Sequence, residues 1–230
     1  MKGKKSNVFI YMILTILAVV FLAPIFIILF NSFKGKLYIS DAPFKLPTAE
    51  TFSGLQNYID GLSKTGFLSA FGWSIFITFF STIVIVLFTA MTGWYITRSK
   101  TKVSTSLYFI FVFSMIVPFQ MVMFTMSKVA NMLNLDNPVG LIVLYIGFGA
   151  GLSIFMFSGF VKSIPIDIEE AALIDGCNPI KTFFLIVLPL LKPICITVAI
   201  LNVMWIWNDY LLPSLVLKSD YKTIPMAVQY

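Results

Sequence analysis

Apolar and polar residues alternate along this chain in long blocks. The apolar blocks cover residues 8–30, 69–96, 107–126, 139–161 and 194–217. An apolar stretch of about 18 residues or more can cross the hydrocarbon core of a bilayer as a helix. The pattern therefore predicts an all-α polytopic helical membrane protein with five spans, which form a single transmembrane domain over residues 1–230.

The composition agrees with five spans. Of the 230 residues, 59% are hydrophobic and 11% are charged, whereas charged residues usually make up about a quarter of a soluble domain. Asp209 is the single charged residue within the five blocks. These values exclude a disordered chain, a collagen-like chain, a disulfide scaffold and most soluble enzymes.

The net charge of +6 comes from basic residues near the ends of the spans. Three precede the first span and three follow the second: Lys2, Lys4, Lys5, Arg98, Lys100 and Lys102. Cytoplasmic loops are enriched in Lys and Arg, so these residues indicate topology and not a nucleic-acid partner. They predict a cytoplasmic N-terminus, with 31–68 and 127–138 outside and 162–193 in the cytoplasm. The first span starts like a signal peptide, but its apolar body exceeds the usual core of about 7–15 residues.

Several kinds of catalytic and binding site are missing from the sequence. There is no histidine, which removes His-ligated metals and Ser-His-Asp or Cys-His nucleophile systems. The pair Gly35-Lys36 follows Phe30, where a nucleotide-binding loop requires glycine. Cys177 and Cys195 lie in or beside the predicted cytoplasmic segment, where thiols stay reduced. We therefore predict no disulfide, no catalytic centre, no metal site and no bound cofactor in this chain.

The segment 162–193 predicts two short helices joined by a turn. Pro165 and the acidic residues after it suit the first turn of a helix, and Gly176 is placed to end that helix in a left-handed conformation. Asn178 can cap a second helix that runs to Leu188. The fourth and fifth spans are thus predicted to be joined by a helix-turn-helix segment.

This helix-turn-helix segment is too polar to cross a bilayer and too apolar to lie free in water. Its acidic residues are Asp167, Glu169, Glu170 and Asp175. We expect the segment to dock, either on the helix ends of this chain or on a cytoplasmic partner. The alternative is an amphipathic helix on the membrane surface, but such helices favour a polar face rich in Lys and Arg, which this one lacks.

The same segment matches the EAA motif in full. The motif requires Glu-Ala-Ala, a glycine after three further residues and Ile-x-Leu-Pro after nine more; here these are Glu170, Ala171, Ala172, Gly176, Ile186, Leu188 and Pro189. On these residues the chain resembles the membrane-spanning permease subunits of bacterial ABC importers. Ile164-Pro165 before the motif and Trp207-Asn208-Asp209 after it resemble the carbohydrate-uptake branch, and within it the smaller of the two permease subunits.

The resemblance implies a mechanical role for the segment. In this family the first short helix is a coupling helix that sits in a cleft of a cytoplasmic ATPase subunit. The coupling residues implied here are Glu169, Glu170, Ala171, Ala172, Asp175, Gly176, Leu188 and Pro189. Glu170 would contact the ATPase, the two alanines would keep the docking face small, and Gly176 would allow the sharp turn.

The resemblance also implies a set of partners. These are a second permease subunit in a heterodimer, two cytoplasmic ABC ATPase subunits and an extracytoplasmic sugar-binding protein, assembled at a bacterial cell membrane. ATP and Mg would be used by the ATPase subunits and not by this chain. Permeases of this kind usually have six spans, so we expect residues 224–230 to begin a further outer helix and the chain to continue past Tyr230.

Polar residues within the spans are candidates for the substrate path. Asn202, Trp205 and Asp209 share one face of the fifth span, and Asn208 lies beside them. Gln120 in the third span is a second, separate candidate. Aromatic faces with nearby amides and carboxylates suit sugar rings. The alternative is that the polar groups join helices and the tryptophans belong to an interfacial belt.

Proline and glycine predict where the spans bend or approach each other. Pro118 and Pro213 each remove a backbone hydrogen bond within a span, and Pro213 leaves the carbonyl of Asp209 without its usual donor. Gly147 and Gly151 have the small-xxx-small spacing that allows close helix packing. A loosened helix is the other interpretation of this glycine pair.

The sequence thus predicts a permease subunit that imports a sugar or an oligosaccharide, with ATP hydrolysed by a separate subunit. Another small solute, such as an amino acid, a polyamine or phosphate, is the alternative, but a pore for ions would favour more than one charge within the spans. A secondary transporter would need several titratable groups near the midplane, and an intramembrane enzyme would need a catalytic pair or a metal site.

Overall fold

The structure, a computed structural model, describes residues 2–228, with side chains from residue 8 onward. The side chains of Lys2, Lys4 and Lys5, on which the predicted cytoplasmic N-terminus rests in part, lie outside this description, as does the chain end at Tyr230. The described backbone forms helices and one isolated bridge, with no strand in that part of the chain. The prediction of an all-α protein is confirmed.

Contacts within the chain divide it into a unit of residues 1–67 and a unit of residues 68–230. The first unit contains α1 (Lys2–Asn31), α2 (Lys36–Asp41) and α3 (Gln56–Lys64). The second begins within α4 (Phe67–Ser99) and continues with α5 (Lys102–Ser114), α6 (Phe119–Met132), α7 (Pro138–Val161), α8 (Ile166–Ile174), α9 (Pro179–Thr182), α10 (Leu188–Leu190), α11 (Lys192–Asn208), α12 (Leu211–Val216) and α13 (Ile224–Val228).

In the first unit, polar side chains fix the turn that follows α1. The side chain of Lys34 is buried, and its Nζ donates to the carbonyl of Ala42 at 2.9 Å and lies 5.1 Å from the ring centre of Phe30. The amide of Asn57 in α3 donates to the carbonyls of Ser32 and Lys34. These bonds hold α3 against the turn, so the segment after α1 has a defined fold.

Among the described residues, three helices are individually long and apolar enough to cross a membrane: Val8–Asn31 of α1, then α4 and α7. Up to five spans result if α5 with α6, and α9 to α10 with α11, are each counted as one bent span. The predicted span 107–126 is therefore not a straight helix, because α5 and α6 meet at 104°. Pro118 is the N-cap of α6, and its missing N–H and its effect on the preceding residue explain the break.

Two glycines of α7 bring neighbouring helices close. A Cβ added to Gly149 would lie 2.9 Å from Oδ1 of Asn202, and one added to Gly151 would lie 2.7 Å from Cγ of Met115. A Cβ on Gly147 would meet nothing within 4 Å. Close packing therefore occurs at Gly149 and Gly151, and the spacing of Gly147 and Gly151 does not by itself identify the contact.

Replacing Gly151 with leucine should destabilise the packing of α7 against α5. The new side chain would meet Met115 and the carbonyl of Phe111, and overpacking of this kind costs about 1–3 kcal/mol. Gly147→Leu is the matched control, because a side chain there starts in open space. Thermal unfolding of the detergent-solubilised protein measures both variants. Equal losses of stability would contradict the close approach at Gly151.

Candidate functional site

The first helix of the helix-turn-helix segment is α8, and a glycine turn ends it. The N–H of Gly176 donates to the carbonyl of Leu173 at 3.1 Å, and the N–H of Cys177 donates to the carbonyl of Ala172 at 2.9 Å. This pair of bonds is a Schellman motif, and Gly176 takes the left-handed conformation that the motif requires, with φ of +83°. Glycine adopts that conformation without strain because it has no Cβ.

The second half of the segment begins with a capped helix and contains a π turn. The side chain of Asn178 accepts a backbone N–H of α9 at 2.8 Å, as expected for an N-cap. A π-helical turn, Phe183–Val187, joins α9 to α10. Pro189 cannot donate to the carbonyl one turn earlier, and a widened turn relieves the clash of its ring with that carbonyl. Helical structure thus extends to Leu190, beyond the end expected at Leu188.

A buried ion pair fixes α8 to the end of α4. Glu169 is 6% exposed, and its Oε1 accepts hydrogen bonds from Nη2 of Arg98 at 2.7 Å and from Nε at 2.9 Å. Its Oε2 accepts a bond from Nε1 of Trp94 at 2.8 Å. Arg98 also donates to the carbonyl of Ile164, which lies just before α8. These four hydrogen bonds anchor α8 to the last two turns of α4.

Neither partner of Glu169 is evident from the sequence. Arg98 indicates only topology there, and Trp94 has no predicted role. The two lie one helical turn apart, so they share a face of α4. Arg98 and Glu169 are 71 residues apart in the chain, and the fourth span lies between them, so no local pattern connects them.

Glu169 and Glu170 lie on different sides of α8. Glu169 is buried against α4, whereas Glu170 and Ala171 are exposed. Ala172 is buried, which favours a small side chain at that position. The adjacent glutamates thus have separate surroundings: one is bound within this chain, and the other is free to meet a partner.

The segment exposes several of the other residues that the sequence named for coupling. Asp175, Gly176 and Pro189 are exposed, and Leu188 is half-buried. Large apolar side chains lie exposed on the same two helices, namely Leu173, Ile174 and Ile180. Exposed apolar side chains that cluster on two short helices favour an interaction site.

Asn202 and Asp209, two of the substrate-path candidates, connect α11 and its end to α7. Asn202 is buried, and its Nδ2 donates to Oγ of Ser153 at 3.3 Å and to the carbonyl of Val198 at 2.9 Å. Oδ2 of Asp209 accepts a bond from the hydroxyl of Tyr145 at 3.0 Å. Both side chains join helices, which is the alternative interpretation given for them above.

The helix of the fifth span ends just before Asp209. The backbone of Asp209 is extended, with ψ of 122°, and its Oδ1 accepts two N–H groups at the start of α12 at 3.0 Å and 3.4 Å. Pro213 cannot supply the N–H that would continue the helix past this point. Asp209 therefore does not share a helical face with Asn202 and Trp205, as a continuous helix would require.

A cavity of about 300 Å³ brings Asn202 and Trp205 together. Its other lining residues are Met115, Phe148, Gly149, Leu152 and Leu201. Gln120, Asn208 and Asp209 do not line it: Gln120 is exposed at the start of α6, and the amide of Asn208 donates to a carbonyl of its own helix. Within residues 2–228, no three His, Cys, Asp or Glu side chains come together as metal ligands.

Most of the second unit matches a known protein family. Residues 85–229 match the family described as the binding-protein-dependent transport system inner membrane component. The chain belongs to this family. It is therefore a membrane component of a transport system, and the matched region of this permease includes the whole helix-turn-helix segment.

The permease is similar over most of its length to proteins whose names describe sugar transport. It is 40% identical over 216 residues to the probable starch degradation products transport system permease protein AmyC of Thermoanaerobacterium thermosulfurigenes, covering 94% of this chain and 78% of that one. It is 34% identical over 231 residues to the multiple sugar-binding transport system permease protein MsmG of Streptococcus mutans, covering 98% and 82%.

A solved structure has the same fold as this permease. It is a bacterial ABC transporter involved in the import of the acidic polysaccharide alginate, and the TM-score is 0.81. The superposition covers 99% of this chain and 79% of that chain, at 23% sequence identity. At that identity the likeness concerns the fold alone.

Proposed function

We propose that this permease carries a sugar or an oligosaccharide into the cell, as a membrane subunit of an ATP-driven, binding-protein-dependent importer. The observation that carries the proposal is the geometry of α8, where Glu169 is tied to α4 while Glu170 lies on an exposed face. A sugar as cargo is supported by the relatives named for sugar transport and by the single charged residue in the five apolar blocks.

In this proposal the permease works within a larger assembly. It pairs with a second permease subunit, contacts two cytoplasmic ABC ATPase subunits and receives its cargo from an extracytoplasmic sugar-binding protein. ATP and Mg are used by the ATPase subunits. The N-terminus and the helix-turn-helix segment lie on the cytoplasmic side of a bacterial cell membrane, because basic residues flank the spans on that side.

Coupling follows from the two sides of α8. When the ATPase dimer closes around ATP, its docking cleft moves, and Glu170 and Ala171 on the exposed face of α8 move with it. The ion pair between Arg98 and Glu169 carries that displacement to α4. Gly176 and the helix cap at Asn178 fix the angle at which the second half of the segment follows. Of the coupling residues named from the sequence, Glu170 and Ala171 thus dock on the ATPase, whereas Glu169 and Gly176 transmit the motion.

We place the sugar-contacting surface of this subunit at the cavity between Asn202 and Trp205. An indole face can cover the C–H face of a sugar ring. Both N–H groups of the Asn202 amide are donated within the chain, so its Oδ1 is the atom that would accept a hydrogen bond from a sugar hydroxyl. Gln120 and Asn208 are exposed, so they would meet substrate only in a path that the second permease subunit completes. Asp209 contributes chiefly by capping α12 and bonding Tyr145.

Replacing Trp205 with leucine should raise the KM for sugar uptake by roughly tenfold, which corresponds to about 1.4 kcal/mol of lost contact. Met204→Leu is the matched control, since Met204 is an exposed neighbour on the same helix and does not line the cavity. Uptake into proteoliposomes that contain the complete transporter measures both. An unchanged KM in the Trp205 variant would contradict the placement of the sugar.

The cargo class is tested with the purified complex and its binding protein. We expect ATP hydrolysis to be stimulated by a starch-derived or another oligosaccharide and not by amino acids, polyamines or phosphate. The control is the same complex without its binding protein, in which no solute should stimulate hydrolysis. If only one of the non-sugar solutes stimulates ATP hydrolysis, that solute and not a sugar is the cargo.

A further inference from the structure

A second cavity, of about 450 Å³, lies where α4 ends, α5 begins and α7 ends. Three cations line it, Arg98, Lys100 and Lys162, and no carboxylate does. They come from three separate places: the last turn of α4, the turn between α4 and α5, and the residue after α7. The tertiary fold has therefore gathered positive charge that is dispersed in the sequence.

The charge in this cavity is only partly balanced. Arg98 is paired with Glu169, but Lys100 and Lys162 form no ion pair with any residue that the structure describes. Lys100 is held at the turn with φ of +44°, a conformation that is uncommon for residues other than glycine. Tyr108 also lines the cavity and makes no hydrogen bond through its hydroxyl within the described residues. Two ammonium groups and a phenol are thus available to an anion.

An apolar strip continues from the cavity along α5. Phe109 lines the cavity and is exposed, and Phe113 is exposed one turn further along the same face. Ile110 is exposed beside them. A small inorganic anion would occupy only the basic end, whereas a molecule with an anionic head and a hydrocarbon tail would use both the cavity and the strip.

We propose that this cavity binds the headgroup of an anionic phospholipid, with an acyl chain along Phe109 and Phe113. Lys100 and Lys162 would neutralise the phosphate, and Tyr108 would donate a hydrogen bond to it. Basic pockets between the ends of membrane helices suit such headgroups, and the exposed phenylalanines of α5 continue from this cavity. Because Arg98 both lines the cavity and holds Glu169, the bound lipid would lie beside the ion pair that fixes α8.

The test uses the complete transporter in phosphatidylcholine nanodiscs that contain a small fraction of photoactivatable phosphatidylglycerol. Wild-type protein should be labelled on α5 near Phe109 and Phe113, and photoactivatable phosphatidylcholine should label it far less. The double variant Lys100→Asn with Lys162→Gln should lose labelling, by about fivefold for each lysine. Asparagine is chosen at position 100 because it tolerates positive φ. Lys102→Gln with Lys181→Gln removes two exposed charges outside the cavity and should leave labelling unchanged.

Three results would overturn the proposal. They are equal labelling by the two lipids, an unchanged signal in the variant of Lys100 and Lys162, and displacement of the lipid by inorganic phosphate but not by chloride at matched ionic strength. The last result would identify a site for a free anion. If the double variant does not assemble, the position of the lipid adduct in the wild-type protein tests the proposal instead. Adducts on peptides outside α5 would contradict the site. Sugar uptake should persist in the double variant, so a negative result for the lipid site would not count against the proposed transport function.

Discussion

An Arg98→Ala permease is expected to lose about 3–5 kcal/mol of stability, because the change leaves the carboxylate of Glu169 buried without its charged partner. The side chains of Arg98 and Glu169 are 19% and 8% exposed, so solvent reaches little of the pair. Trp94 would remain as a single neutral donor to the carboxylate. Uptake should fall as well, since α8 would no longer be fixed to α4.

Two further variants show how much of the stability loss in Arg98→Ala comes from the burial of the ion pair and how much from its charge. Lys64→Ala breaks the pair with Asp60, in which the two side chains are 72% and 40% exposed, and should leave the free energy of unfolding almost unchanged. Replacing Arg98 with methionine and Glu169 with leucine together removes both charges and should recover most of the lost stability. Chemical denaturation in detergent measures all three variants. If Arg98→Ala has the same free energy of unfolding as the wild type, the buried ion pair does not stabilise the fold as predicted.

A Glu170→Lys permease is expected to remain folded and to stop coupling ATP hydrolysis to transport. Glu170 is exposed, and its side chain makes no hydrogen bond within the described residues, so the fold does not depend on that side chain. Reversing its charge at the ATPase interface should weaken the association by roughly thirtyfold, which corresponds to about 2 kcal/mol. Sugar uptake into proteoliposomes, divided by ATP hydrolysed, measures the coupling.

The matched control for Glu170→Lys is Asp167→Lys, on the same helix and equally exposed but outside the EAA motif. We expect this control to retain most of the uptake. The unfolding curve of Glu170→Lys should coincide with that of the wild type, whereas Asp167→Lys should lose about 1 kcal/mol, because it replaces a negative charge in the first turn of α8 with a positive one. Full uptake with Glu170→Lys, or an equal loss with Asp167→Lys, would mean that Glu170 has no special place in the docking surface.

Local patterns in the sequence predict much of this fold. The long apolar blocks predict the helices, and Gly176 and Asn178 predict the turn between α8 and α9, because a left-handed cap and an N-cap depend on a few neighbouring residues. Pro118 and Pro213 predict breaks, but the size of a bend depends on tertiary packing. That is why Pro118 indicates a break in the third span, whereas the angle of 104° between α5 and α6 could not be predicted from the sequence.

The candidate site was harder to predict because its contacts join distant residues. Arg98 at the end of one span and Glu169 after another are brought together only by the packing of α4 and α7. Asn202 and Asp209 have helical spacing in the sequence, yet Asp209 leaves the helix and bonds Tyr145. Polar residues within a span are therefore candidates for the substrate path, but only the tertiary structure shows which of them bond neighbouring helices instead.

Coupling depends on the docking of the exposed face of α8 on an ATPase subunit. This docking is tested most directly by placing a photoactivatable phenylalanine in place of Ala171, which is exposed beside Glu170, and irradiating the intact complex in its membrane. We predict a covalent adduct with the ATPase subunit, and no such adduct when the same residue replaces Phe113, which is exposed on α5. An adduct from position 171 with membrane lipid, or with this permease alone, would contradict the docking of α8.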